Sequence, residues 1–204
     1  MATSLKIQAD DEIQRGRGRP RDEVARSRIL EAALELMDEL GFGNTTTDAI
    51  AERAGTSKAT IYRRWPNKNE LLLEALREAA THELPFPDTG DVHEDIRRQL
   101  ENFVKWLTGR RGRIFKAFIA AAQSDPGVLE TFLNVWMKPR RAEAKLVLER
   151  HQQAGRLSPT LDLNLLLDLI YGPIYFRLLA GHGSLCLRYA DSIADLALKG
   201  LLNQ

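Results

Sequence analysis

The segment TSKATIYRRWPNKNELL, Thr56 to Leu72, gathers side chains that could meet a negatively charged partner. Lys58, Tyr62, Arg63, Arg64 and Trp65 fall close together, and no carboxylate appears before Glu70. Ammonium and guanidinium groups bond phosphate oxygens and can donate to guanine O6 and N7. Thr60 could bond a base edge or touch a thymine methyl, and Tyr62 could donate to phosphate. The chemistry on offer is recognition of a polyanion. A solvated basic helix would carry the same charges, so the elements around the segment must decide between the two.

Composition excludes more than it identifies. The 204 residues are enough for a real core, as one large or two small domains, and carry a formal net charge of only +1. The distribution of charge is more telling. Arg53, Lys58, Arg63, Arg64 and Lys68 span a stretch without a carboxylate, while acids such as Glu31, Glu35, Asp38 and Glu39 balance them elsewhere. The single cysteine, Cys186, allows no intrachain disulfide and no thiolate cluster, and a reduced cytoplasmic compartment fits. His82, His93, His151 and His182 are scattered, and no metalloprotease, nucleophile-elbow, P-loop or dinucleotide motif occurs. No catalytic residue, metal or cofactor is therefore expected. No secretory apolar region opens the chain. The apolar run from Leu161 to Ala180 could span a bilayer by length, but Asp162, Asn164, Asp168 and Arg177 would be costly there. It reads as a helix of a soluble protein, with no membrane partner.

Helical periodicity runs through almost the whole chain, and no segment keeps strand alternation, so the fold class is all-α. A stripe of Ala25, Ile29, Ala32, Leu36 and Leu40 ends at Gly41. Thr46 or Thr47 can cap DAIAERA, which stops at Gly55. Ser57 can cap KATIYRRW, which Pro66 ends. Asn67 with Glu70 opens a helix to about His82, and Asp91 with Glu94 opens another. Further helices are expected at about 112–123, at 126–154 with a kink at Pro139, at 162–180 and at 186–200. GRRGR, with Arg110, Arg111 and Arg113, reads as a surface turn.

Two short helices joined by GTS form the core of a helix-turn-helix at about 46–65. Ala51 is small where the helices cross, Gly55 turns the chain, and Ile50 and Ile61 can pack inward. The second helix would then present Lys58, Ala59, Thr60, Tyr62, Arg63 and Arg64 to a major groove about 12 Å wide. Thr47 and Lys68 are placed for backbone phosphate, and the capping residues Thr46 and Ser57 complete the DNA-facing candidates.

The run ILEAALELMDELGFGNTTTDAIAERAGTSKATIYRRWPNKNELLLEAL resembles the DNA-binding domain of tetracycline-repressor (TetR) family regulators, over about residues 24–76. Gly41, Phe42, Thr46, Thr47, Ile50, Ala51, Ala54, Gly55, Ser57, Thr60, Tyr62, Lys68, Glu70 and Leu71 carry the likeness. Trp65 stands where members commonly have phenylalanine, and the aromatic role survives. The resemblance implies that Thr47, Lys58, Ala59, Thr60, Tyr62, Arg63, Arg64 and Lys68 face DNA. It also implies a C-terminal helical domain that dimerises and usually binds a small molecule.

The expected organisation is a basic arm at 1–22, a helix-turn-helix domain at 23–83 and an effector-binding and dimerisation domain at 84–204. The last two helices are expected to form the dimer interface through Leu166, Ile170, Ile174, Leu178, Ile193, Leu196, Ala197 and Leu201. A ligand pocket is sought among Phe103, Trp106, Phe115, Phe118, Phe132, Trp136, Tyr171 and Tyr175. The expected function is a homodimeric repressor released from a palindromic operator in double-stranded DNA by an unidentified small-molecule effector. The alternative is effector-independent DNA binding, or an A·T-preferring architectural or partner-recruiting role.

In the arm, RGRGRPR alternates Arg15, Arg17, Arg19 and Arg21 with residues of little bulk. Such a tract can lie in a narrow A·T-rich minor groove. Deleting residues 1–21 is expected to weaken DNA binding and flatten its salt dependence. Titrations at several salt concentrations check this, and an unchanged slope removes the arm from the interface.

Overall fold

The computed structural model describes residues 22–202, with side chains to residue 199, and contains no strand among them. The chain divides into two compact units, Met1–Ala75 and Leu76–Gln204.

In the first unit, helix α1 covers residues 22–40 and buries Ile29, Leu30, Ala32, Ala33, Leu36 and Met37. Leu40, expected on this stripe, is 46% exposed. The inward face has rotated past it, toward Ala33 and Met37. Gly41 adopts φ 81° and its N–H bonds the Met37 carbonyl at 2.9 Å, which ends α1. Helix α2 is Thr47–Arg53, and Thr46 caps it by accepting from the Ala49 N–H. At its end Gly55, at φ 61°, donates to Glu52, and Thr56 donates to Ala51. This paired closure needs the left-handed conformation that glycine adopts freely.

Helix α3, Lys58–Tyr62, is capped by Ser57, which accepts from the Thr60 N–H. It is shorter than expected, because the chain tightens at Arg63 and Arg64 before Pro66. Helix α4, Lys68–Glu83, opens on Asn67, whose side-chain oxygen accepts from the Glu70 N–H at 2.9 Å.

The second unit contains the end of α4 and the remaining helices. Helix α5 is Val92–Thr108, capped by Asp91 on the His93 and Glu94 N–H groups. Helix α6, Arg110–Ala122, begins two residues after α5 ends. GRRGR is thus mostly the first turn of a helix, with Gly112 buried in it. Helix α7 is Pro126–Thr131. A π-helical stretch, Phe132–Met137, then leads into α8, Lys138–Gln153. The kink expected at Pro139 is realised as this wider turn, because widening moves preceding carbonyls away from a ring that has no N–H to offer them. Helix α9, Leu163–Ala180, continues through Pro173 and ends at Gly181, at φ 66°. Helix α10 is Leu187–Leu202. Helix α5 lies between α6, α9 and α10, which makes its inner face the centre of this unit.

At the α5–α6 corner, a Cβ on Gly112 would stand 1.7 Å from the Leu107 carbonyl oxygen. Backbone cannot yield as a flexible side chain does. Gly112→Ala is expected to cost roughly 2 kcal/mol or more, as overpacking does, read as a lowered denaturant midpoint. Gly43→Ala, with nothing within 4 Å, is the matched control and should leave the midpoint near wild type.

Candidate functional site

The helix-turn-helix rests on buried apolar residues: Ile50 is 0% exposed, Ile61 1% and Trp65 2%. Trp65 has a polar edge, and its indole N–H donates to Glu74 Oε2 at 2.8 Å. The other oxygen of Glu74 accepts from Arg26, at 2.5 Å from Nη2. One carboxylate thereby ties the chain after α3 to both α1 and α4.

On the outer side, Lys58, Ala59, Tyr62 and Arg63 are exposed and Thr60 is half-buried. Arg63 makes no ion pair among the described residues. Lys58 lies 2.8 Å from Asp48, and hydrogen bonding to that carboxylate holds its ammonium above the ordinary lysine range. Such exposed pairs are weak and salt-screened, so phosphate can displace Asp48. Arg64 is half-buried and paired with Asp22 at the start of α1. Lys68 stands over the Phe42 ring, 5.6 Å from its centroid. Thr47 is buried, and its hydroxyl accepts from Tyr62 at 3.4 Å. Thr46 and Ser57 are exposed beside the helix ends that they cap. Arg15, Arg17, Arg19 and Arg21 lie outside the described residues.

The second unit holds a cavity of about 370 Å³, within the usual range for small-molecule sites. Of the eight aromatics expected at a pocket, Phe103, Trp136, Tyr171 and Tyr175 line it. Trp106, Phe115, Phe118 and Phe132 do not; they are buried as packing. Trp106 stacks on Trp136 at 5.5 Å, and Phe115 meets Trp136 at 4.7 Å and Phe132 at 5.9 Å. The polar lining was missed from the sequence: Gln99, Arg140, Arg141 and Asp168, beside Met137 and Gly172. Gln99 sits on the buried stripe of α5, at 1% exposure. An amide at such a position was the available signal, because a buried amide requires partners. Burial raises the hydroxyl pKa of both Tyr171 and Tyr175, so both remain neutral phenols.

Asp88, Asp95 and His151 bring potential ligand atoms within 4.8 Å of one another. Arg156 Nε donates to His151 Nδ1 at 2.9 Å. Arginine can only donate, so the ring proton is on Nε2, which bonds Asp95 Oδ2 at 2.9 Å. The other Asp95 oxygen accepts from the Thr89 N–H and hydroxyl. Both imidazole nitrogens are engaged, so Asp95 and His151 form a buried clamp between α5 and α8, with Asp88 exposed beside it.

A family model described as "Bacterial regulatory proteins, tetR family" matches residues 29–75, and one described as "Tetracyclin repressor-like, C-terminal domain" matches residues 86–197. The chain belongs to the tetR family. It is a helix-turn-helix transcriptional regulator that binds DNA. The uncharacterized HTH-type transcriptional regulator YdeS of Bacillus subtilis (strain 168) is 42% identical over 189 residues, covering 93% of this chain and 96% of YdeS. The crystal structure of the TetR family transcription regulator SCO0332 aligns with TM-score 0.81 at 32% identity, over 87% of this chain and 98% of that one. The flavonoid-responsive regulator FrrA aligns with TM-score 0.62 at 26% identity, over 88% and 95%.

Five of the residues expected at a dimer interface are buried within a single chain. Leu166, Ile170 and Ile174 are 0% exposed, Ile193 is 7% and Leu178 9%. They form the core of a single chain, where α9 packs on α5, α6, α8 and α10. An all-apolar helix has two faces, and composition could not say which turns inward. Leu196 is exposed and Ala197 half-buried on α10, while the side chain of Leu201 lies outside the described residues.

Arg63→Ala is expected to weaken duplex binding and lower the slope of log affinity against log salt by about 1. Arg64→Ala, which removes a guanidinium already held by Asp22, should change that slope less. Fluorescence anisotropy across a salt series reads both, and equal slopes would remove Arg63 from the interface.

Proposed function

We propose that two copies of this tetR-family regulator pair through the outer face of α9 and repress transcription from a palindromic operator, until a small molecule enters the C-terminal cavity. Members of the family bind DNA and small-molecule effectors and form dimers. The observation that carries the effector reading is the aromatic cavity itself, with a buried amide in its wall. FrrA responds to flavonoids by its name, and an aromatic effector suits a wall built of Phe103, Trp136, Tyr171 and Tyr175.

For pairing, the supporting feature is a stripe of exposed positions, Leu165, Leu169, Gly172, Phe176 and Leu179. Their spacings of four and three make one continuous helix face. Phe176 is 65% exposed and Leu165 55%, which is unusual for large apolar side chains on one helix unless another surface covers them. A two-fold pair would supply the symmetry that a palindromic operator requires. The DNA-facing set is Lys58, Ala59, Thr60, Tyr62, Arg63 and Lys68, with Thr46, Thr47, Ser57 and Arg64 around it.

Release is a population shift, in which effector favours a state whose two recognition helices no longer match grooves about 34 Å apart. The α4 helix, whose residues fall in both units, carries the shift in this reading. At its C-terminal end Glu83 accepts from the Trp106 indole N–H at 2.7 Å, and Trp106 stacks on the cavity residue Trp136. By linkage, operator DNA must lower effector affinity by the same factor.

Selection of random duplexes on the purified protein is expected to recover a palindrome with half-sites about one helical turn apart. Leu169→Glu, which places charge in the outer face of α9, should give a monomer by sedimentation and lose the palindrome. Recovery of A·T-rich duplexes without symmetry would instead favour the architectural alternative.

A further inference from the structure

The polar groups of the cavity are not interchangeable, and their bookkeeping restricts what can bind. Gln99 donates from Nε2 to the Tyr171 hydroxyl oxygen at 3.0 Å. Its other amide atom, Oε1, is buried without any hydrogen-bond partner. Leaving a buried acceptor unmade is costly, so this oxygen calls for a donor from a bound molecule. The Tyr171 oxygen is already taken by Gln99, which leaves its own O–H free to donate. Behind one side of the cavity, an acceptor and a donor thus stand unused on neighbouring groups.

The charged groups are already matched. Arg141 lies 2.5 Å from Asp168 and also donates to the Asn164 carbonyl. Arg140 lies 2.6 Å from Glu143 and also donates to the Leu84 carbonyl. Among the described lining residues each cation already has a carboxylate, so none meets a ligand's carboxylate or phosphate without an exchange. The rest of the wall is mostly aromatic, with the Phe103 and Tyr171 rings edge to face at 5.4 Å and Met137 and Gly172 beside them. The volume of about 370 Å³ corresponds to roughly twelve waters at about 30 Å³ each, which suits a one- or two-ring molecule.

We infer that the cavity takes an uncharged, planar aromatic molecule bearing a hydroxyl, which donates to Gln99 Oε1 and accepts from the Tyr171 O–H. A hydroxyl is both donor and acceptor at one atom, as this pair of groups requires. The inference rests on the cavity being the effector site and adds the class of effector.

Three probes that share one ring system separate the possibilities by titration calorimetry at neutral pH. They are 2-naphthol, 2-methoxynaphthalene, which lacks the donor, and 2-naphthoate, which carries a charge. The naphthol is expected to bind about tenfold more tightly than either of the others, the cost of one unmade hydrogen bond or one unpaired charge. In Gln99→Met the gap between 2-naphthol and 2-methoxynaphthalene should close. Tightest binding by 2-naphthoate, or a gap that survives Gln99→Met, overturns the hydroxyl assignment. The wild-type ranking alone decides the matter if Gln99→Met does not fold. Operator binding measured with each probe separates the two levels. Three probes that bind alike and lower operator affinity would sink the ligand class and keep the effector site, whereas no heat from any of them would sink both.

Discussion

The placement of the second helix of the helix-turn-helix depends on one carboxylate. Trp65 is buried where the chain leaves the recognition helix, and a buried indole N–H must find an acceptor. Glu74 supplies it and uses its second oxygen for Arg26. A helix of five residues is far too short to be stable alone. The position of Lys58–Tyr62 is therefore inherited from this clamp, from Ile50 and Ile61 beneath it, and from the glycine closure at Gly55. The exposed side chains of that helix contribute little to holding themselves in place.

The C-terminal unit meets a different constraint. Phe103, Trp106, Phe115, Phe132, Trp136 and Tyr175 are large and rigid, and they contact one another edge-on or tilted more often than stacked. The π-helical stretch before Pro139 brings Trp136 and Met137 to the cavity wall at the point where the backbone is widest. The buried polar groups in this unit are of two kinds. Asp95 and His151 are saturated by Thr89, Arg156 and each other and serve as a joint, whereas Gln99, in the cavity wall, keeps one amide atom without a partner.

Charge is handled by pairing. The net charge of +1 conceals a cationic stretch, and in the folded chain Lys58 pairs weakly with the exposed Asp48 and Arg53 with Glu39, whereas the half-buried Arg64 is held by Asp22. Exposed pairs of this kind exchange readily for phosphate, so the surface can be soluble when free and still cationic toward DNA. Arg63, exposed and outside these pairs, is ready without exchange.

Much of the first unit was legible in the sequence because its signals are local. Caps at Thr46, Ser57 and Asn67, closures at Gly41 and Gly55, and the inward Ile50 and Ile61 each follow from a few neighbouring residues. The all-α class and the helix order followed from periodicity for the same reason. What the tertiary structure decided was orientation. Helix α9 is apolar around most of its circumference, so the sequence offered no asymmetry from which to tell Leu166 and Ile170, in the core, from Leu165 and Leu169, outside. Eight aromatics marked a pocket region, but only packing separated the four that line it from the four behind them. Gln99 and the matched pairs of Arg140 and Arg141 became visible only when residues far apart in the chain came together. Local propensity is written residue by residue, whereas the inside of a cavity is defined by which faces of several helices meet.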